Sequence, residues 1–258
     1  MIIRRLGWAG IELESEGRRL AIDPIVGLGD LEQFVGPPLT ELPPPSGALD
    51  VALVTHLHRD HADPDVLADV PVVLRPAVDA GAFLEVAATS AQEAIGGTVV
   101  APWETHAIGP FTVTAVPAVD GFGDPQVSWV VEADGQRIIH CGDTLFHGHW
   151  WRIRMRCGPF DAAFLPVNGP VCEFPHRTPF APFPAALDPE QAAVAAAILE
   201  TPVAVPIHYD AIHHPPLYAQ VDDPIGRFTA AAGDRARVLA TGEELRPEGV
   251  GPQSPNYS

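Results

Sequence analysis

The stretch "VALVTHLHRDHADPD", Val51 to Asp65, most constrains what this chain can fold into. Val51 to Val54 is a continuous, β-branched-rich apolar run, the pattern of a strand covered on both faces. His56, His58, Asp60 and His61 collect directly after it. Asp63-Pro64 then supplies an N-cap followed by proline at the first helical position, so a helix is expected to start there. A surface turn has no need of so many imidazoles and carboxylates at the end of a buried strand. A metal site does.

His56 and His58 are two residues apart, so on an extended segment their imidazoles share a face and reach one ion. Asp60 and His61 follow where the chain turns toward the helix and are placed to meet a second ion. Neutral imidazole with carboxylate suits zinc, manganese or iron. Two ions about 3.5–4 Å apart share one hydroxide and stabilise both ends of a hydrolytic displacement.

The remaining chain reads as alternating strands and helices. Short strands are expected at 2–6, 10–14, 18–22, 71–74, 98–100, 111–117, 127–132, 136–140, 161–167 and 203–207, with a last one in "ARVLAT". The clearest helix is "LDPEQAAVAAAILE", where Asp188 caps, Pro189 takes the first position and Gln191 completes a capping box. A second helix starts at Asp223-Pro224. Many strands with interspersed helices imply an α/β sandwich: two mixed β-sheets with helices outside. No linker breaks residues 1–245, which read as one domain, and 246–258 reads as a flexible tail. The proline-rich segment Gly36–Gly47 reads as an extended surface loop, and "WWRIRMR" as solvated surface.

Composition narrows the partners. A net charge of −18 repels polyanions, which argues against general nucleic-acid binding. No run approaches the roughly 20 apolar residues of a membrane span, and "MIIRRLGWAGIELE" lacks the continuous apolar core of a secretory signal. The cysteines, Cys141, Cys157 and Cys172, are odd in number and show no CxxC spacing, which fits a reducing cytoplasm.

"THLHRDH" resembles the signature of the metallo-β-lactamase superfamily, and the resemblance extends over most of the chain. It implies an αββα sandwich with a dinuclear metal site between the sheets. "LAIDP" is similar to the family's early strand ending in Asp-Pro, which would make Asp23 a brace behind the metal loop. "HCGDTLF" is similar to the Gly-Asp-Thr stretch, which would make Asp143 the carboxylate bridging both ions. "VPIHYD" is similar to the final strand-end histidine, which assigns His208 to the second ion. The compact length and "LGWAGIELE" look most like the branch of L-ascorbate-6-phosphate lactonase and the N-acyl-phosphatidylethanolamine phospholipase D type.

The chain departs from the family once. After the strand "FTVTAVPA", where the family carries a further histidine, stands Asp120. Either Asp120 replaces that histidine as a ligand, or the first ion keeps only His56, His58 and Asp143. The ligand reading is preferred; a carboxylate there would tilt the first site toward harder ions such as manganese or iron.

The resemblance therefore implies a metal-dependent hydrolase with two divalent ions, zinc or manganese, with iron compatible. His56, His58, Asp120 and Asp143 would hold one ion; Asp60, His61, Asp143 and His208 the other. A bridging hydroxide would attack an ester, lactone, amide or phosphodiester of a small molecule, with Asp60 managing the proton and Asp143 joining it in catalysis. Strand-end loops usually supply substrate contacts, which marks Asn168, His147 and His176. His149, His213 and His214 are expected in solvent. The rivals are a non-catalytic or single-metal protein altered at Asp120, a nuclease, and a di-iron redox enzyme. Whether the chain forms a homo-oligomer is left open.

Overall fold

The alternating and apolar runs become two sheets in the computed structural model, which describes residues 1–78, 94–175 and 177–248. The first sheet takes β1 (Ile2–Gly7), β2 (Gly10–Ser15), β3 (Arg18–Ile22), β4 (Val51–Leu53), β5 (Val72–Arg75), β6 (Thr98–Val99) and β13 (Glu244–Leu245). The second takes β7 (Thr105–Ile108), β8 (Phe111–Pro117), β9 (Val127–Ala133), β10 (Gln136–His140), β11 (Ala162–Pro166) and β12 (Val203–Ile207). Spatial order is β13-β1-β2-β3-β4-β5-β6 in one and β12-β11-β10-β9-β8-β7 in the other.

Each sheet starts as an antiparallel meander and continues in parallel. β1, β2 and β3 pair antiparallel, and β4, β5 and β6 then add parallel to β3. Likewise β7 to β10 are antiparallel, and β11 and β12 add parallel to β10. The tight hairpins at Glu16-Gly17 and Asp134-Gly135 hold both residues at positive φ (48° and 74°; 54° and 73°), the requirement of a turn whose twist matches the flanking strands. The parallel strands β4 and β11 are buried along their whole length, as their unbroken apolar sequence demands.

Residues of both sheets form one core, with Ile11, Leu13, Leu20 and Ile22 packed in a cluster with Phe111, Val113, Trp129 and Phe164. Five helices cover the sandwich among the described residues: α1 (Glu32–Val35), α2 (Pro64–Leu67), α3 (Trp150–Cys157), α4 (Pro189–Ile198) and α5 (Pro224–Ala232). α3, α4 and α5 close the outer face of the second sheet, where Trp150, Ile153, Ala192, Ala196 and Phe228 meet Val130, Ile139 and Ala163. α2 closes the outer face of the first through Leu67 against Ala52, Val54 and Val73. The architecture is the αββα sandwich expected from the sequence. No helix among the described residues is long and apolar enough to cross a membrane.

One local expectation is corrected and another gains detail. "ARVLAT" is not a regular strand: it makes one bridge, Ala204 to Ala236, and Arg237 N donates to Ala204 O at 2.9 Å. The Ala240 N–H then goes to the Glu243 carboxylate at 2.9 Å rather than to a strand. "WWRIRMR" turns its three arginines to solvent, as expected, and is a helix with a buried opposite face. Trp150 and Ile153, three apart, are buried, while Trp151 is 53% and Met155 69% exposed.

Candidate metal centre

Every strand that feeds this site ends on the same side of the sandwich. β3 delivers Asp23, β4 delivers Thr55 and His56, β8 delivers Asp120, β10 delivers Asp143, and β12 delivers His208. In open α/β sheets the carboxyl ends of parallel strands are where ligands bind. His56, His58, Asp120 and Asp143 converge with one donor atom each within 4.8 Å of one another, and so do Asp60, His61 and His208.

Asp143 faces both groups. Its Oδ1 lies 3.6 Å from His56 Nδ1, while Oδ2 lies 3.9 Å from His61 Nε2 and 4.0 Å from His208 Nε2. Gln126 holds the carboxylate from the side, its Nε2 donating to Asp143 Oδ1 at 2.5 Å. Asp60 Oδ2 lies 3.7 Å from His61 Nε2 and 3.6 Å from His208 Nε2.

The partners of the four imidazoles fix which nitrogen of each points inward. His61 Nδ1 sits 2.8 Å from Asp23 Oδ2, an acceptor, so that nitrogen carries a hydrogen and Nε2 is left facing the site. Thr55 Oγ1 donates to the same Asp23 oxygen at 2.7 Å and is therefore an acceptor for His56 Nδ1 at 3.2 Å. His58 Nε2 donates to Asp124 Oδ2 at 2.8 Å, which turns Nδ1 inward. Asn168 gives its Nδ2 hydrogen to Tyr218 OH at 2.9 Å, so its Oδ1 accepts from His208 Nδ1, also at 2.9 Å.

The inward nitrogens consequently meet in pairs, His56 Nε2 with His58 Nδ1 at 2.9 Å and His61 Nε2 with His208 Nε2 at 3.1 Å. Donors on one tetrahedral zinc ion, at about 2.0–2.1 Å from it, would be separated by roughly 3.3 Å. The donor set fits divalent ions. Asp120 adds an independent sign: its Oδ2 accepts from the Phe122 and Asp124 amides at 2.7 and 2.9 Å, but its buried Oδ1 has no hydrogen-bond partner. That orphaned oxygen lies 3.9 Å from His58 Nδ1. A buried acceptor without a donor is costly, and a cation would repay it.

Electrostatics divide each imidazole pair. Burial lowers the His58 pKa, but the hydrogen bond to Asp124 and the charges of Asp120, Asp143 and Asp60 outweigh it and raise it to about 9. His61 is likewise lowered by burial and carried up to about 10 by Asp60, Asp23 and Asp143. Their partners go the other way: burial pulls His56 well below the usual range, and burial also lowers His208 despite Asp60. Without metal, the carboxylates thus favour the protonated form of His58 and His61, and burial the neutral form of His56 and His208. Burial raises the Asp60 carboxyl, but His61 and His208 overcome it, and Asp60 stays ionised. Asp120 is raised, first by burial and then by Asp143, against the pull of His58.

Other expected residues have different places. Asn168 was expected to contact substrate, yet it is fully buried and spends both ends on His208 and Tyr218. His147 stacks on Trp150, ring centroids 4.3 Å apart and 12° from parallel, and belongs to neither donor group. Burial, aided by His149, lowers it to about 4. His176 lies outside the described residues, while His149, His213 and His214 are exposed as expected. Sequence reasoning missed Trp8, Thr55, Asp124, Gln126 and Tyr218. Asp124 and Gln126 carried a signal, since both stand in the loop directly after Asp120.

A UPF0173 metal-dependent hydrolase of Thermococcus kodakarensis is 28% identical over 253 residues, covering 94% of this chain and 98% of its own. One from Thermococcus onnurineus is 27% identical over 247 residues, covering 92% and 94%. Among solved structures, isothiocyanate hydrolase from Delia radicum gut bacteria superposes with a TM-score of 0.68 at 20% identity, covering 95% and 99% of the two chains. A metallo hydrolase from Ignicoccus hospitalis superposes with a TM-score of 0.62 at 19% identity, covering 95% and 97%. The family described as the beta-lactamase superfamily domain matches residues 18–209, and with the sandwich fold this shows that the chain belongs to the metallo-β-lactamase superfamily.

Proposed function

We propose that this chain is a metal-dependent hydrolase of small molecules that holds two divalent ions, zinc or manganese, with iron also compatible. The relatives named as metal-dependent hydrolases support the reading. The observation that carries it is the locking of four imidazoles, each tied through its outer nitrogen so that the other faces a shared centre.

His56, His58, Asp120 and Asp143 would hold the first ion, and Asp60, His61, Asp143 and His208 the second. When bound, such ions supply Lewis acidity toward an acceptor oxygen and a strong nucleophile at neutral pH. The chain's own groups do the rest. Asp143 turns one oxygen to each group, which suits it to join them. Asp23 anchors the metal loop through Thr55 N, Thr55 Oγ1 and His61 Nδ1 together. Asp60, 8% exposed beside His61 and His208, would handle the proton passed from nucleophile to leaving group. The scissile bond is an ester, lactone, amide or phosphodiester.

Metal analysis of the purified protein, together with hydrolysis of a panel of these four bond types before and after chelation, tests the reading. Two ions per chain and a chelator-sensitive activity are expected. Fewer than one ion per chain with no hydrolysis of any panel member would sink it.

A further inference from the structure

We propose that Trp8 is a positioning residue for the second ion, setting the lone pair with which Asp60 binds it and seating the His208 ring; this rests on the two-ion reading above. Trp8 lies in the turn between β1 and β2, far in sequence from both residues it serves, and is 1% exposed.

Three separate contacts join it to the second donor group. Its indole Nε1–H donates to Asp60 Oδ2 at 3.1 Å. Its ring packs on His208 with centroids 4.0 Å apart. Its backbone carbonyl accepts from His208 N at 2.9 Å. Ala9, the next residue, accepts from the buried His140 Nε2 at 2.8 Å, and His140 Nδ1 in turn accepts from Gly142 N at 3.2 Å, beside Asp143. One turn of the first sheet therefore grips Asp60, His208 and the approach to Asp143.

The choice of oxygen matters. Asp60 Oδ2 is the atom within reach of His61 Nε2 and His208 Nε2, at 3.7 and 3.6 Å, and the same atom takes the indole hydrogen. A carboxylate oxygen has two in-plane lone pairs. The indole occupies one and leaves the other for the ion. A hydrogen bond to a ligating carboxylate also withdraws electron density from it, which tunes the ion it binds. Packing alone needs only an apolar ring at this buried position. The N–H is what the carboxylate uses.

The backbone adds a further sign. Trp8 sits at φ 45°, a left-handed conformation that a bulky side chain rarely adopts. Strain of this kind persists where the surroundings over-determine it, and it clusters at functional sites. Here the surroundings are the two His208 contacts and the Asp60 bond. A glycine would relax the turn and lose all that the side chain does.

The test is cobalt(II) titration of metal-free Trp8→Phe beside the wild type, followed by the visible absorption of each bound ion and by thermal unfolding of both metal-free proteins. Phenylalanine keeps the ring on His208 and deletes the N–H. The expected result is a roughly 10–100-fold weaker second ion with a shifted absorption band, while the first ion binds as in the wild type. Second-ion affinity and band equal to wild type would overturn the proposal. So would equal weakening of both ions with a lowered metal-free melting temperature, the signature of a structural role. A wild type that takes up fewer than two ions overturns the two-ion reading itself, and this proposal with it. Trp8→Leu serves as the second variant: a second-ion defect in Leu but not in Phe assigns the effect to packing and overturns the role of the N–H.

Discussion

At the scale of single residues, Asp120 opposes stability to function. Its ionised form is penalised by burial and by the neighbouring Asp143, and one of its oxygens lacks any donor. Asp120→Asn keeps an acceptor for the Phe122 and Asp124 amides but removes the charge. The metal-free variant should melt no lower than the wild type, while first-ion affinity falls on the order of 100-fold. Differential scanning calorimetry and competitive chelator titration measure the two effects; unchanged affinity would remove Asp120 from the ligand set. The neighbouring Gly121 is fixed by space. A Cβ there would stand 2.0 Å from the Ala185 carbonyl oxygen. Gly121→Ala should therefore destabilise by about 1–3 kcal/mol, as overpacking does, and weaken the first ion by dragging Asp120 with the turn. A variant that unfolds at the wild-type denaturant midpoint would contradict this.

At the scale of elements, the capping box of α4 is complete: Asp188 Oδ1 accepts from Gln191 N at 2.8 Å and Gln191 Oε1 accepts from Asp188 N at 3.3 Å. Asp188→Ala should cost about 1 kcal/mol, lowering the melting temperature by roughly 2–4 °C in a protein of this size, with both ions retained. Metal loss in parallel would show that α4 bears on the site directly. This cap was legible in the sequence because Asp-Pro-x-Gln is a local signal. So were the strand Val51–Leu53 and the crowded loop after it, since burial on both faces and ligand spacing are both local patterns. "ARVLAT" was not legible. Its apolar residues are local, whereas strand pairing needs a partner; the Ala240 amide meets the Glu243 side chain instead of a neighbouring strand. α3 was hidden for a related reason: arginines at 152, 154 and 156 mask a buried pair, Trp150 and Ile153, that declares itself only against the second sheet. Within the site, the residues with metal-ligand chemistry stood out by type, and among those that orient them only Asp23 was expected, through the family resemblance. Asp124, Gln126 and Trp8 are ordinary loop and turn residues until the fold brings them to His58, Asp143 and Asp60.

At the scale of the whole molecule, the site joins two sheets at the end where β3, β4, β8, β10 and β12 deliver its residues, so metal, proton and fold are linked. In the metal-free protein His58 and His61 are raised to about 9 and about 10. A histidine with a raised folded pKa contributes stability that is fully present below its unfolded value near 6.5 and is lost as pH rises through the folded value. The chelated protein should accordingly lose melting temperature between about pH 7 and 10 on this account. With ions bound, those two protons are displaced, because an imidazole binds metal only through a free lone pair. Loading at pH 7 should release at least two protons for two ions, the imidazole protons plus any from water ionised by the metal, measurable with a pH indicator in weakly buffered solution. The same linkage sets the sign for affinity: rising pH weakens the protonated competitor and tightens metal binding, so the metal-bound protein should not share the alkaline loss. Parallel melting curves of the chelated and loaded forms across that range, with no proton release on loading, would show that the paired imidazoles do not hold the protons which the ions replace.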